Sequence, residues 1–157
     1  MIDFPPMLSH RFRVRFYFKL LSYLPGVPDP MDAEFQSVDG LSQSMAVDKR
    51  VEGGRNVGML HLPLQVSHGN VTLQRGVIVR TPLTTILQQG LGSFRLFGID
   101  MTIMALDETQ TPVATWSLID ATPVRWSTSG LNANSNQFLI NSFEFAYRDM
   151  SMMGAMT

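Results

Sequence analysis

Hydrophobic residues in this chain recur with a period of two. Between residues 11 and 20, Phe12, Val14, Phe16 and Phe18 alternate with Arg11, Arg13, Arg15, Tyr17 and Lys19. A β-strand with one buried face produces that pattern. Residues 33–41 read as a second strand. The uneven spacing of Phe35 and Val38, followed by Gly40, predicts a bulge within it. Residues 42–51 read as a more polar strand. Leu60, Leu62, Leu64 and Val66 then alternate with His61, Pro63, Gln65 and Ser67. This is a further strand, and Pro63 places it at an edge or a bulge. Val71 and Leu73 point inward from the next strand, with Thr72 and Gln74 outward. Ile99, Met101, Ile103 and Ala105 alternate with Asp100, Thr102, Met104 and Leu106. After a turn at 107–112, residues 113–120 return with Trp116 and Leu118 on one side. Residues 124–127, including Trp126, read as a separate short strand, and residues 137–147 as a long one. In that last strand the apolar phase shifts from Phe138 and Ile140 to Phe143, Phe145 and Tyr147. The shift predicts a bulge or twist near Asn141 and Ser142.

The breaks between strands are equally legible. Residues 24–31 hold Pro25, Gly26, Pro28 and Pro30 and form a proline-rich loop. Residues 52–58 form a glycine-rich loop, and residues 130–136 are polar and turn-forming. One helix is predicted over 81–90. Thr81 caps it, Pro82 suits its first position, Leu83, Ile86 and Leu87 share a face, and Gly90 ends it. Residues 150–157 carry four of the 11 methionines and read either as a flexible terminus or as an adaptable contact arm. Together these elements predict a mostly-β, sandwich- or barrel-like single domain spanning residues 1–157, with one short flanking α-helix.

Composition narrows the function. Charged residues are 16% of the 157, below the roughly 25% of an average globular chain, while 45% are hydrophobic. A core can be built, and part of the surface is expected to meet protein rather than water. Twelve basic against 13 acidic residues give a net charge of −1, unlike a dedicated nucleic-acid binder. There is no cysteine, which excludes disulfides, thiolate metal sites and cysteine nucleophiles. No apolar run approaches the 18 residues of a membrane-spanning helix, and the first residues do not read as a secretory signal. Synthesis in the cytoplasm is therefore expected.

Candidate chemistry is sparse. His10, His61 and His68 have no partner at a metal-ligand spacing. Asp107 and Glu108 are adjacent carboxylates in a predicted turn, where solvation accounts for them without acid–base work. Gly90-Leu91-Gly92-Ser93 lacks the lysine of a phosphate loop. No catalytic residue, metal or cofactor is assigned. Arg11, Arg13 and Arg15 form a cationic stripe on one strand face, on which a nucleic-acid strand could lie with Tyr17 stacking. A single-strand nucleic-acid binding module is thus one open reading. A small β-barrel enzyme is another class, for which the sequence offers no acid–base pair.

The order of motifs resembles the tube proteins of contractile phage tails and of phage-tail-like contractile injection systems. The matching segments are Phe35-Gln36-Ser37-Val38-Asp39-Gly40-Leu41, Val51-Glu52-Gly53-Gly54-Arg55-Asn56 and Val71-Thr72-Leu73-Gln74-Arg75-Gly76-Val77. They continue with residues 100–108, with the run from Trp116 through Pro123 to Trp126, and with residues 140–147. This chain departs from the family at Val51, where an aromatic is usual, at Asn141, where an acid is usual, and at Tyr147, where histidine is usual. The resemblance implies that six copies form a ring, that rings stack, and that one sheet from each subunit joins its neighbours in a β-barrel lining the lumen. It implies a structural part in a tube that a contracting sheath drives through a target envelope, with DNA or an effector protein in the bore. The implied partners are further copies of the chain, the sheath, baseplate or spike-hub proteins and a tube terminator. The tube protein of type VI secretion is the implied structural cousin. A specialised ring near the baseplate is an alternative within the same family. Assembly in the bacterial cytoplasm, then residence in a virion tail or an injection particle, is implied as well. The loop from Val51 through Glu52, Gly53, Gly54 and Arg55 to Asn56 resembles the family's extended loop that reaches a neighbouring subunit. On that reading Gly53 and Gly54 supply backbone freedom and Glu52 and Arg55 pair across the interface. Gly40, Arg75, Gly76, Trp116, Pro123 and Trp126 are the other motif positions, with Arg75 expected to anchor the helix or an adjacent subunit.

Overall fold

The computed structural model describes residues 11–19, 31–51, 53–54, 57–76, 98–129 and 140–154. The predicted helix at 81–90, the proline-rich segment before Met31 and the turn at 130–136 lie outside them. The described residues form ten strands. They are β1 (Arg11–Phe18), β2 (Met31–Phe35), β3 (Ser37–Asp39), β4 (Gln43–Arg50), β5 (Leu60–His68), β6 (Val71–Gly76), β7 (Ile99–Leu106), β8 (Pro112–Thr128), β9 (Ile140–Ala146) and β10 (Asp149–Gly154). All pairings are antiparallel.

Eight strands belong to one sheet, ordered β2-β1-β7-β8-β9-β6-β3, with β10 also on β8. Its two ends, β2 and β3, are one chain segment interrupted by Gln36. The Gln36 N–H donates to Gln74 C=O (2.9 Å), so the segment passes from β1 on one side to β6 on the other. The sheet therefore curls back on itself and encloses its apolar face. The bulge predicted between Phe35 and Val38 is this crossing. Val14, Phe16, Phe18, Phe35, Val71, Leu73, Ile99, Met101, Ile103, Leu118, Ala121, Phe143, Phe145 and Tyr147 fill the interior. Phe16 sits among Phe18 (6.2 Å between ring centroids), Phe35 (6.3 Å) and Phe145 (6.1 Å), and so ties β1, β2 and β9 together. Offset and edge-on aromatic packing of this kind adds to the area buried.

Four details depart from the sequence pattern. The segments at 113–120 and 124–127 are one 17-residue strand, β8. It bends rather than stops at Asp120 (φ 51°), where its register against β7 slips, and again between Pro123 and Arg125 opposite β9. That second slip lies opposite Phe145 and Glu144, and no break occurs at Asn141 and Ser142, where one was expected. The register of β9 on β6 runs unbroken through both residues, because Asn141 takes an inward position. Its Oδ1 accepts from the Thr128 hydroxyl (2.9 Å), which satisfies a buried amide that the apolar pattern could not show. Leu106, expected to face outward, is buried, because the register shifts between Ala105 and Leu106. The methionine-rich end is a strand as far as Gly154. It continues β9 along the same edge of β8, with Asp149 opposite Ile119 and Gly154 opposite Ala114.

The turn after β7 is organised by Asp107. Its carboxylate accepts from Thr109 N–H (2.8 Å), the Thr109 hydroxyl (2.7 Å) and Thr111 N–H (2.9 Å), a solvated turn role. Gly40, at the exit of β3, has φ 85°, and a Cβ there would lie 1.9 Å from Asn70 C=O. No residue but glycine fits both the conformation and the approach. Replacing it, Gly40→Ala, is expected to destabilise the fold by about 2 kcal/mol or more. Urea unfolding checks this, and an unchanged midpoint would show that the chain relaxes around the methyl group.

Candidate assembly surface

β4 and β5 pair only with each other and stand apart from the eight-stranded sheet. None of their residues belongs to the core. The row Leu60, Leu62, Leu64 and Val66 alternates as the sequence predicts, yet it meets no sheet. Leu60 and Leu64 are exposed, and Leu62 and Val66 are only half-buried. Met45, Val47, Val51, Val57 and Met59 are exposed too, Val57 to 88% and Val51 to 73%. A two-stranded ribbon by itself is marginal in water, and one that shows this much apolar surface is built to be covered. The register slip between Met45 and Val47, facing the strand that carries Pro63, twists the ribbon.

The turn at the tip uses glycine for geometry. Gly54 (φ 100°) and Gly58 (φ 103°) occupy left-handed conformations, and no atom lies within 4 Å of a Cβ built at Gly53, Gly54 or Gly58. Val51, Gly53 and Gly54 of the predicted loop are therefore placed at the ribbon's far end. Glu52, Arg55 and Asn56 lie outside the described residues.

The ribbon's base is joined to the sheet by polar contacts. Ser42 N–H donates to Gly40 C=O (2.9 Å), and Gly69 N–H to Ser42 C=O (3.2 Å). The Tyr147 hydroxyl, just past β9, donates to Ser42 C=O (3.2 Å). Burial pushes the Tyr147 phenol above its ordinary value, opposed by that hydrogen bond. The His68 ring packs on Tyr147 with centroids 5.2 Å apart. His68 and Tyr147 were not legible as a joint. The only trace is that both fall where a strand pattern ends.

The cationic stripe is placed as predicted but is not bare. Arg15 binds Asp32 through two hydrogen bonds (2.7 and 2.9 Å), and Arg13 reaches Gln110 (2.8 Å) and Glu34 (3.5 Å). The Arg15 guanidinium holds the Asp32 carboxyl below its usual range. At one end of the sheet Asp120 joins Lys19 and Arg148 (2.9 Å), and its own N–H donates to Asp100 (3.0 Å). The Lys19 hydrogen bond, aided by Arg148, lowers the Asp120 carboxyl. Of the motif positions, Gly76 pairs with Ile140, Arg75 is half-buried opposite Asn141, and Trp116 packs against the core. Pro123 lies opposite Phe145, and Trp126 is 37% exposed. These positions are spread around the sheet rather than gathered in one pocket. Among the described residues no three His, Asp or Glu side chains are grouped to hold a metal ion.

Residues 9–151 match the family described as T4-like virus tail tube protein gp19. Among solved structures, a chain of the anti-feeding prophage (AFP) baseplate, 6-fold symmetrised, is 41% identical, with TM-score 0.82 over 99% of this chain and 100% of that one. A chain of the PVC extracellular contractile injection system, in its sheath-tube complex in the extended state, is 21% identical (TM-score 0.76; 98% and 95% covered). The crystal structure of an Hcp protein shares the fold at 14% identity (TM-score 0.56; 94% and 92% covered). No curated protein matches the sequence.

Asp32, Asp107 and Asp120 all ionise more readily in the fold than in the unfolded chain. Their contribution to stability is present above the ordinary carboxylate range and is lost as pH falls through their lowered folded values, below about pH 4. The urea midpoint is expected to drop between pH 4 and pH 2, and to drop less in Asp120→Asn. Parallel curves for the two proteins would show that Asp120 contributes nothing to this dependence.

Proposed function

We propose, from the premise that this chain belongs to the family of T4-like virus tail tube proteins, that six copies close into a ring and that rings stack through the β4–β5 ribbon. The chain is a structural tube subunit of a phage tail or tail-like injection particle. The observation that carries the assembly reading is the ribbon itself. It has two strands, lies outside the core, and is apolar on a surface that the described residues leave open. A second copy of the chain is the occupant that the family's tubular architecture supplies. Gly53 and Gly54 let the tip conform to the neighbour, and Glu52 and Arg55 pair across the contact. Arg75 anchors the adjoining segment.

The work is mechanical and needs no catalytic group. Closure of the sheet leaves few strand edges, and main-chain pairing gives a stiff wall. Internally neutralised pairs such as Arg15–Asp32 give a hydrated surface with little net field for a DNA or effector cargo to adhere to. The same engagement of Arg13 and Arg15 weighs against a nucleic-acid-binding face. The subunit is assembled in the bacterial cytoplasm, and its partners are a sheath, a baseplate hub and a terminator. Identity of 41% to an AFP baseplate chain, against 21% to the PVC sheath–tube chain, favours a ring near the baseplate end.

Electron microscopy of the purified protein is expected to show six-fold rings or short tubes. Val57→Glu with Leu64→Glu is expected to leave a folded protein, by circular dichroism, that forms neither. Gly53→Val, at a position with open space and no left-handed backbone, is expected to shorten or abolish stacking without lowering the unfolding free energy by more than about 0.5 kcal/mol, as for a surface site. Tubes of ordinary length from either variant would remove the ribbon from assembly.

A further inference from the structure

The joint between ribbon and sheet contains one unsatisfied group. His68 closes β5, its side chain is only 9% exposed, and its Nε2 is buried without a hydrogen-bond partner among the described residues. Asp149, the first residue of β10, presents Oδ1 at 4.0 Å from that nitrogen. Around the ring, β4 contributes the uncharged register partner Gln43, the end of β9 contributes the Tyr147 ring, and β10 contributes Asp149. Asp149 is the carboxylate within ion-pair reach of His68 among the described residues.

We propose that His68, Tyr147 and Asp149 form a proton-operated latch that sets the angle of the β4–β5 ribbon against the sheet. The proposal rests on the ribbon's assembly role given above. A neutral imidazole leaves Nε2 buried and unmatched, an arrangement that proteins seldom keep without a use. A protonated imidazole donates from both nitrogens, and its nearest acceptor is Asp149. A charge-assisted bond closes at about 2.8 Å, so the gap must shrink by roughly 1 Å. Asp149 Oδ1 already accepts from Met150 N–H (2.8 Å), which orients this exposed carboxylate beside the joint. Part of the movement falls to His68 and to the strand it ends. Strands pair about 4.8 Å apart, and a nine-residue strand spans about 30 Å. A change of angle at the base is amplified along so long a ribbon, so the tip moves by more than the base does. Tyr147 steadies the pivot. Its phenol, shifted upward by burial, keeps its proton and its bond to Ser42 through mildly acidic and neutral pH. His61 lies on the same strand but is exposed, away from the joint.

The test uses the full chain, which has no cysteine of its own. Spin labels are placed at Val57→Cys near the tip and Glu108→Cys on the β7–β8 turn. The labelled protein is diluted with unlabelled chain, and the interlabel distance is measured by pulsed electron resonance at pH 8 and pH 5.5. The expected result is a shift of several ångströms in the parent protein, retained in His61→Gln and abolished in His68→Gln and Asp149→Asn. Asp149 is exposed and its replacement keeps the acceptor for Met150, so this variant decides the matter even if His68→Gln folds poorly. An unchanged distance in the parent, or an undiminished shift in Asp149→Asn, overturns the latch. Tube yield is scored on the same samples. A distance shift together with tubes of ordinary length from the ribbon variants supports the hinge movement and removes the ribbon from assembly. Loss of tubes in the ribbon variants without any distance shift keeps the assembly reading and overturns the latch.

Discussion

Everything in this molecule depends on two strand segments that each serve two sides of one sheet. β2 and β3 cross at Gln36, and β8 crosses at Asp120. A flat sheet of these strands would leave Val14, Phe16, Leu73 and Phe145 facing water. The crossings fold it into a closed wall in which those side chains meet. Closure also reduces the number of open strand edges, which are the usual route to uncontrolled association.

Charge follows the same logic. Several cations on the outer wall are matched within the subunit: Arg15 by Asp32, Arg13 by Glu34, and Lys19 and Arg148 by Asp120. Each exposed pair contributes little stability. Their collective effect is to lower the field over that part of the surface. The surface that does seek a partner is apolar instead, on Val51, Val57, Met59 and Leu64.

The period of two made the strands and most of the core legible, because a half-buried strand writes its burial into every second residue. It could not say which sheet a strand joins. Leu60 to Val66 alternate as cleanly as Phe12 to Phe18, yet one row meets the core and the other meets solvent. A register break was misread as well. The break expected at Asn141 and Ser142 does not occur, because the polar Asn141 rather than Ile140 holds the inward phase of β9. Leu106 turned inward through a register slip. Gly53 and Gly54 were read from their loop, since glycine advertises unusual backbone. The joint of His68, Tyr147 and Asp149 was not readable, because it unites residues that lie some 80 positions apart and carry no shared spacing.

The ribbon shares no core residue with the closed sheet. Selection on the two parts is therefore largely separable. On the assembly role proposed above, substitutions between Gln43 and Ser67 bear on what the subunit mates with, while the wall folds from its own residues. A duplicated gene can thus diverge in one hairpin and found a ring with new neighbours, its bore unchanged. A tube assembled from several such paralogues keeps one continuous channel while each layer recognises only the layer it should follow.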